Sequence, residues 1–199
     1  MSTPEEIAAR LLQYYADEMA QRADRPLGQE RTAHVEAFAD DLTPTDTVLE
    51  IGCGAGRDGV ILAATGATYI GVDLSPEGVR ICRELGLDAR VANVTDLPFE
   101  DDSIDAAWSM STLMHLTDDQ FSGALTEIGR VVRSGGMVEV AVWGHEPPLA
   151  SFDEHGRYFN RRSDGGLRAA LSPLGEVEAF DTWDHWHGHR YQWARVRTL

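Results

Sequence analysis

A glycine-rich turn behind an apolar stretch has the clearest chemical meaning in this sequence. The stretch ends at Ile51, and Gly52, Gly54 and Gly56 follow at alternate positions. Glycine has no Cβ, so a ligand can approach the backbone closely, and glycine accepts the positive φ angles that such a turn needs. Asp73 ends the next apolar stretch, where a carboxylate can accept hydrogen bonds from both hydroxyls of a ribose. The pattern predicts a site for a ligand with an adenosine group.

The residue after the third glycine helps to distinguish among adenosine ligands. In the dinucleotide-binding fingerprint, a small residue stands three positions after the second glycine, because helix and strand pack closely there. Here that position is Arg57. Its bulk argues against NAD and favours a smaller nucleoside ligand. The alternative is a glycine turn that only joins a strand to a helix, but the preceding strand and the following Asp73 favour a binding site.

Composition limits the partners of this site. The 199 residues include 33 acidic and 17 basic ones, and the formal net charge is −16. Such a surface repels phosphate backbones and anionic lipid headgroups, so we expect neither a nucleic acid nor a membrane partner. Cys53 and Cys82 are too few for a disulfide framework, and Met1–Tyr15 lacks the pattern of a secretory signal. We therefore expect a cytoplasmic protein, while no pattern indicates its oligomeric state.

Short apolar runs alternate with helical patterns through the middle of the chain. This alternation predicts a parallel sheet with helices on both faces. Near the end, two apolar runs are joined by too few residues for a helix, which predicts an antiparallel hairpin that closes the sheet. The expected strands are Thr47–Ile51, Thr68–Asp73, Asp88–Ala92, Ile104–Met110, Met137–Trp143, Val177–Trp183 and Arg190–Arg197. The expected helices are one behind Pro4, Gln29–Asp40, Arg57–Ala64, Pro76–Leu85 and Asp118–Val132.

Four segments resemble, in order, the successive motifs of class I S-adenosylmethionine-dependent methyltransferases. They are Glu50–Arg57, Gly71–Pro76, Asn93–Phe99 and Arg130–Gly136. The resemblance implies an α/β fold with a Rossmann-like, mostly parallel seven-stranded sheet, a C-terminal antiparallel hairpin and helices on both faces. It also implies S-adenosyl-L-methionine as the cofactor. We expect one domain, with a helical cover in 1–42, a cofactor-binding core in 45–143, and a substrate-side loop and hairpin in 144–199.

The same resemblance implies which residues hold the cofactor. The glycine turn would border its methionine part, Asp73 would hold the ribose hydroxyls, and Leu74 and Val94 would face the adenine. Relatives often have an aspartate at the place of Asn93, whose amide oxygen can accept the same hydrogen bond. The expected set is Tyr15, Glu50, Gly52, Cys53, Gly54, Gly56, Arg57, Asp73, Leu74, Asn93, Val94 and Ser109.

His115 is the first candidate for a catalytic base. Methyl transfer from a sulfonium releases a neutral group, so positioning can carry much of the catalysis and a base is optional. An imidazole with an ordinary pKa of ~6.5 can accept a proton from a hydroxyl or an ammonium group. The alternative is that His115 caps the following helix or packs against the cofactor. No serine triad, metal cluster or carboxylate pair with suitable spacing occurs in the sequence.

The acceptor side of the site is expected in the C-terminal part of the chain. Residues 145–162 are long for a connection and are typical of a lid, and 183–193 are rich in histidine and aromatic residues. The alternating histidines lack the spacing of a known metal site, so we expect no metal. The expected substrate-binding residues are His145, Tyr158, His185 and Trp186.

These patterns predict a methyltransferase that acts on an oxygen, nitrogen or sulfur atom of a small molecule. Three alternatives remain open. In the first, the acceptor is a peptide or protein group. In the second, the chain binds S-adenosylmethionine without turning it over. In the third, the chain is an NAD-dependent oxidoreductase, and Arg57 argues against this third alternative. The segment Trp108–His115 also lacks the Asn/Asp-Pro-Pro-aromatic signature associated with methylation of planar amino groups in nucleic-acid bases and in glutamine.

Overall fold

A mixed sheet of seven strands forms the centre of the computed structural model, which describes residues 3–184 and 189–199. The strands of the chain are β1 (Thr47–Ile51), β2 (Thr68–Asp73), β3 (Ala89–Val91), β4 (Ile104–Met110), β5 (Val132–Gly144), β6 (Leu149–Phe152), β7 (Tyr158–Arg161), β8 (Gly175–Asp184) and β9 (Arg190–Thr198). The helices are α1 (Pro4–Ala23), α2 (Gln29–Asp40), α3 (Arg57–Ala63), α4 (Pro76–Glu84), α5 (Asp118–Val131) and α6 (Asp164–Leu171).

The strand order explains where a ligand can enter. The large sheet has the order β3-β2-β1-β4-β5-β9-β8. Strands β1 to β5 run parallel, whereas β9 is antiparallel to both β5 and β8. Because β1 has β2 on one side and β4 on the other, the connections that leave β1 and β4 diverge at their carboxyl ends. Such a switch of direction opens a crevice above the sheet. The expected fold class is confirmed.

Apolar side chains fill the space between the sheet and the helices on both faces. One cluster includes Leu49 and Val140 from the sheet with Phe121 and Ile128 of α5. The other includes Val48 and Trp108 from the sheet with Phe38 of α2, Leu62 of α3 and Val79 of α4. Strands buried on both faces in this way consist mostly of consecutive apolar residues, and this pattern predicted their positions from the sequence.

An ion pair fastens α2 to this core. The carboxylate of Asp58, at the start of α3, is fully buried. It accepts two hydrogen bonds from Arg31 of α2, both at 2.8 Å, and one from the indole N–H of Trp108 at 2.7 Å. Loss of Arg31 would leave a buried charge without compensation, which is strongly destabilising. Helix α2 is therefore held at a fixed place beside α3 and the sheet.

The segment between β5 and β8 differs most from expectation. The sequence suggested a long loop over 145–162, whereas the structure contains the antiparallel pair β6 and β7, followed by α6. The pair packs on the main body because Phe159 is fully buried in the larger core cluster. The other expected elements are present with ends that shift by a few residues, and β5 begins earlier, at Val132. None of the helices in the described ranges is long and apolar enough to cross a membrane.

Candidate active site

The glycine turn after β1 adopts the backbone conformation that its sequence predicts. The φ angles of Gly52, Gly54 and Gly56 are +78°, +50° and +76°. At Gly52 the space is also restricted, because a Cβ there would lie 1.9 Å from the hydroxyl oxygen of Thr112. A side chain would therefore strain the backbone and collide with the segment that follows β4. The turn is thus shaped by its own residues and by the neighbouring strand end.

The carboxylate of Asp73 links this turn to the end of β2. One oxygen accepts the backbone N–H of Gly54 and the other accepts that of Ser75, each at 2.8 Å. Burial raises the pKa of Asp73, and the hydrogen bonds from the backbone oppose that increase. A carboxylate has about four acceptor positions, so two remain available for a ligand. Asp73 can therefore fix the turn and hold a diol at the same time.

An inner cavity of about 160 Å³ lies over the carboxyl ends of β1, β2 and β4. The glycine turn and Asp73 form one side of it, and Leu74 and Val94 supply apolar surface next to them. Helix α1 covers the opposite side. The residues that α1 contributes are Ala8, Leu11, Leu12, Tyr15, Met19 and Arg22. The cavity therefore combines a polar rim with an apolar floor and lid.

Tyr15 and His115 form a hydrogen-bonded pair at the wall of the inner cavity. The Nδ1 atom of His115 lies 2.7 Å from the carbonyl oxygen of Tyr158, and its Nε2 atom lies 3.1 Å from the hydroxyl oxygen of Tyr15. A carbonyl oxygen only accepts hydrogen bonds, so Nδ1 carries the proton and donates. Nε2 is therefore the acceptor, and the Tyr15 hydroxyl donates to it.

The charge state of His115 follows from its surroundings. The ring is buried, and the loss of hydration lowers the pKa of His115 to about 4. The positive charges of Arg157 and Arg22 lower this pKa further, while the hydrogen bond to Tyr158 and the charge of Asp153 act in the opposite direction. At neutral pH the imidazole is uncharged, and its free electron pair points to Tyr15.

A second, outer cavity of about 970 Å³ adjoins the first. The shared wall residues are Tyr15, Arg22, Arg31, Arg57 and Ser111. Other wall residues come from α1, β5, the β6–β7 pair and the C-terminal hairpin, which contribute Tyr14, Trp143, Phe159, Trp183 and Tyr191. The two cavities together give room for two ligands that meet at Tyr15 and Ser111.

The structure brings most of the expected cofactor residues to the inner cavity. Those in its wall are Tyr15, Gly52, Cys53, Gly54, Arg57, Asp73, Leu74 and Val94, together with His115. Four others lie outside the wall. Glu50 is buried behind the turn, and its carboxylate accepts a hydrogen bond from the hydroxyl of Tyr69 at 2.5 Å. Gly56 is the N-cap residue that precedes α3. Burial and the charge of Asp58 raise the pKa of Glu50 well above its usual range.

Asn93 and Ser109 also make contacts within the protein instead of facing the cavity. The side-chain oxygen of Asn93 accepts the N–H of Thr95 at 3.1 Å, in a short turn after β3. Its neighbours on either side, Ala92 and Val94, line the cavity. The buried hydroxyl of Ser109 donates to the carbonyl oxygen of Ile51 at 3.1 Å. Both residues therefore position a wall of the cavity without forming part of it.

The expected substrate residues do not line either cavity where the structure describes them. His145 is exposed, and its ring contacts the carbonyl oxygen of Pro147 at 2.6 Å. Tyr158 takes part through its backbone carbonyl, which orients His115, and its ring packs on Phe152. His185 and Trp186 lie outside the described residues. The outer cavity is instead lined by residues that no sequence pattern indicated, above all Trp143, Arg157 and Arg161.

Comparison with known proteins identifies relatives of the chain. A family model described as methyltransferase domain matches residues 49–140. The tRNA (carboxymethyluridine(34)-5-O)-methyltransferase of Arabidopsis thaliana is 34% identical over 113 residues, which cover 56% of this chain and 28% of that protein. An uncharacterized protein of Mycobacterium tuberculosis is 31% identical over 193 residues, which cover 82% of this chain and 68% of that protein. Three of the curated relatives are much longer, and the chain spans only 28%, 39% and 34% of their length.

The fold also matches a solved structure along the whole chain. The 1,6-didemethyltoxoflavin-N1-methyltransferase of Burkholderia thailandensis, solved with 1,6-didemethyltoxoflavin and S-adenosylhomocysteine, aligns with a TM-score of 0.83 and 20% sequence identity. The alignment covers 100% of this chain and 92% of that one. At this level of identity the match supports the architecture alone.

The buried neutral His115 predicts a pH dependence of stability. Its pKa in the folded protein, about 4, lies below the ordinary value of 6.5, so the unfolded chain binds a proton first as the pH falls. The stabilisation is therefore complete above pH ~6.5 and is lost as the pH falls towards ~4, by about 2 kcal/mol between pH 7 and pH 5. Urea unfolding of the wild type and of His115→Gln at several pH values measures this difference.

A matched substitution at an exposed histidine supplies the control. His155→Gln should keep the pH dependence of the wild type, because the side chain of His155 is half exposed. In His115→Gln the loss of unfolding free energy between pH 7 and pH 5 should be smaller by about 2 kcal/mol than in the wild type. Parallel curves for the wild type and His115→Gln would show that His115 is not held in its neutral form.

Proposed function

The chain belongs to the class I S-adenosylmethionine-dependent methyltransferases, and we propose that it transfers a methyl group from S-adenosylmethionine to an oxygen, nitrogen or sulfur atom of a small-molecule acceptor. The observation that carries the proposal is the pair of connected cavities. The inner one is lined by the glycine turn and Asp73, and the outer one is walled in part by α1, the β6–β7 pair and the C-terminal hairpin. Walls on several sides suit a small compound.

The residues of the inner cavity fit S-adenosylmethionine. Asp73 has acceptor positions left for the two ribose hydroxyls, and Leu74 and Val94 offer apolar contact for the adenine. Arg57 and Arg22, beside the glycine turn, suit the carboxylate of the methionine part. When bound, the cofactor supplies an electrophilic methyl group on a sulfonium. The remaining tasks of orienting the acceptor and removing its proton belong to the chain.

Tyr15 and His115 are arranged to receive the acceptor's proton. The electron pair of His115 Nε2 already accepts the hydroxyl of Tyr15, so the acceptor cannot reach it directly. Tyr15 lines both cavities, whereas His115 lines only the inner one. A proton released by the acceptor would be taken by the Tyr15 oxygen as the Tyr15 proton moves to His115. Tyr15 is then the residue that contacts the acceptor, and His115 positions and assists it.

Label transfer tests the proposed reaction for an acceptor of any class. The protein is incubated with S-adenosylmethionine tritiated at the methyl group and with three fractions of a cell extract: the small-molecule filtrate, the proteins and the RNA. We expect label in the filtrate, and heat-inactivated protein should give none. Label confined to proteins or RNA would contradict the small-molecule proposal, and RNA would match the acceptor named for the Arabidopsis relative.

Removal of one hydroxyl tests the proton path. Tyr15→Phe keeps the aromatic ring, on which the guanidinium of Arg22 lies 4.9 Å from the centroid, but loses the hydrogen bond to His115. We expect kcat to fall about 100-fold, in the range typical of acid-base groups, while the affinity for S-adenosylhomocysteine stays unchanged. Tyr14→Phe is the matched control, because Tyr14 lines only the outer cavity. Equal kcat values for both variants would exclude this path.

A further inference from the structure

The outer cavity differs in charge from the rest of the molecule. The whole chain has a formal net charge of −16, yet its outer cavity has more basic than acidic wall residues. The acidic ones are Glu30, Asp153 and Glu154. The basic ones are Arg22, Arg25, Arg31, Arg57, Arg157 and Arg161. Six of the 17 basic residues thus surround one cavity, which is therefore a locally positive site in an acidic protein.

Most of these arginines already have a carboxylate partner. Arg31 binds the buried Asp58, and Arg157 lies 2.6 Å from Asp153. Arg22 and Arg25 both approach Glu18, at 3.7 and 3.4 Å. Their charges are thus at least partly balanced within the protein. Arg57 and Arg161 remain, and among the described residues neither has a carboxylate within ion-pair distance.

The two remaining arginines lie at different places. Arg57 lines both cavities and stands beside the glycine turn, where it suits the cofactor's own carboxylate. Arg161, at the end of β7, lines only the outer cavity. Its Nη1 atom donates to the hydroxyl of Ser151 at 3.0 Å, and burial lowers the pKa of Arg161. A partly desolvated guanidinium with unused donors favours an incoming anion.

Aromatic rings stand next to Arg161. Its guanidinium carbon lies 4.8 Å from the centroid of the buried Phe159, and Trp143 stacks between Phe159 at 4.9 Å and His189 at 4.0 Å. In the hairpin wall, Trp183 stacks between Tyr191 at 5.1 Å and His34 at 4.8 Å. Because these faces are already covered, the two tryptophans offer the cavity the edges of their rings. Rings held rigidly in this way give apolar contact at little entropic cost.

We propose that the acceptor is a small acid whose carboxylate or phosphate group binds Arg161, while its apolar body lies against the aromatic residues of the outer cavity. This inference rests on the proposed function and specifies its substrate class. An acid bound in this way places its anionic end at Arg161 and the rest of its body towards Tyr15, at the junction of the two cavities. A nucleic acid is less suitable, because its many phosphates would meet the acidic surface around the cavity.

Binding of matched acids and amides tests the charge requirement. The protein is saturated with S-adenosylhomocysteine and titrated with hydroxybenzoate, naphthoate and quinoline carboxylate, each beside its primary amide, and with naphthyl phosphate beside naphthol. The pairs share a planar body and differ in charge, and the phosphate pair separates the two kinds of anion. We expect at least one acid to bind about tenfold more tightly than its neutral counterpart.

Substitution of Arg161 tests the location. Arg161→Gln should remove the preference for the acid over the amide and leave the affinity for the amide unchanged. Arg161→Lys keeps the positive charge and should retain part of the preference for the acid. Arg168→Gln is the matched control, because this exposed arginine also lies over an aromatic ring, 4.0 Å from the centroid of Phe180, but outside both cavities. All variants should bind S-adenosylhomocysteine as the wild type does, which also reports that they fold.

Three results with the wild-type protein would overturn the inference. They are equal affinity for acids and amides, no binding of any probe to the loaded protein, and tighter binding of a short RNA stem-loop than of every acid. A preference for acids that survives in Arg161→Gln would assign the anion to another residue and would also contradict the proposal. If S-adenosylhomocysteine itself does not bind, the proposed function fails first, so the two failures are distinguishable.

Discussion

The hydrogen bonds of one carboxylate hold the site together. Asp73 ends β2, and its two oxygens accept backbone N–H groups from the turn after β1 and from the start of α4. Two consecutive strand ends are thus fixed relative to each other at the place where the sheet changes direction. The turn with its positive φ angles and the floor of the inner cavity lie at this junction. A ligand that binds Asp73 completes an arrangement that the backbone has already formed.

Buried charges determine what the site can do around that junction. The ion pair of Arg31 with Asp58 holds α2 against the core, and α1 places Tyr15 against His115. The carbonyl of Tyr158 sets the tautomer of His115, and burial keeps the ring neutral. A neutral imidazole that faces a tyrosine hydroxyl keeps an electron pair available to it at physiological pH, which a charged one does not. Stability and proposed chemistry therefore rest on the same hydrogen bonds.

Local chemistry explains what the sequence could predict. The strands β1, β2 and β4 were located to the residue because they are continuous apolar runs, and the turn and Asp73 were located because glycine and a terminal carboxylate have few other uses there. The β6–β7 pair was missed because each strand has only four residues and the pair contains a single buried side chain, that of Phe159. Arg161 was missed for a related reason, since no spacing along the chain shows that it lines the same cavity as residues of α1 and β9. Glu50, Asn93 and Ser109 satisfy partners inside the protein, which only the packed structure shows.

Titration calorimetry with S-adenosylhomocysteine, beside NAD in the same buffer, tests the central role of Asp73 most directly. We expect the wild type to bind S-adenosylhomocysteine with micromolar affinity and not to bind NAD. We also expect Asp73→Ala to weaken the binding of S-adenosylhomocysteine by about 1.5–3 kcal/mol, because charge-assisted hydrogen bonds to the ribose are lost. Asp96→Ala, in the turn after β3 and outside the cavity wall, should bind as the wild type does. Binding of NAD, or unchanged affinity in a folded Asp73→Ala protein, would contradict the account.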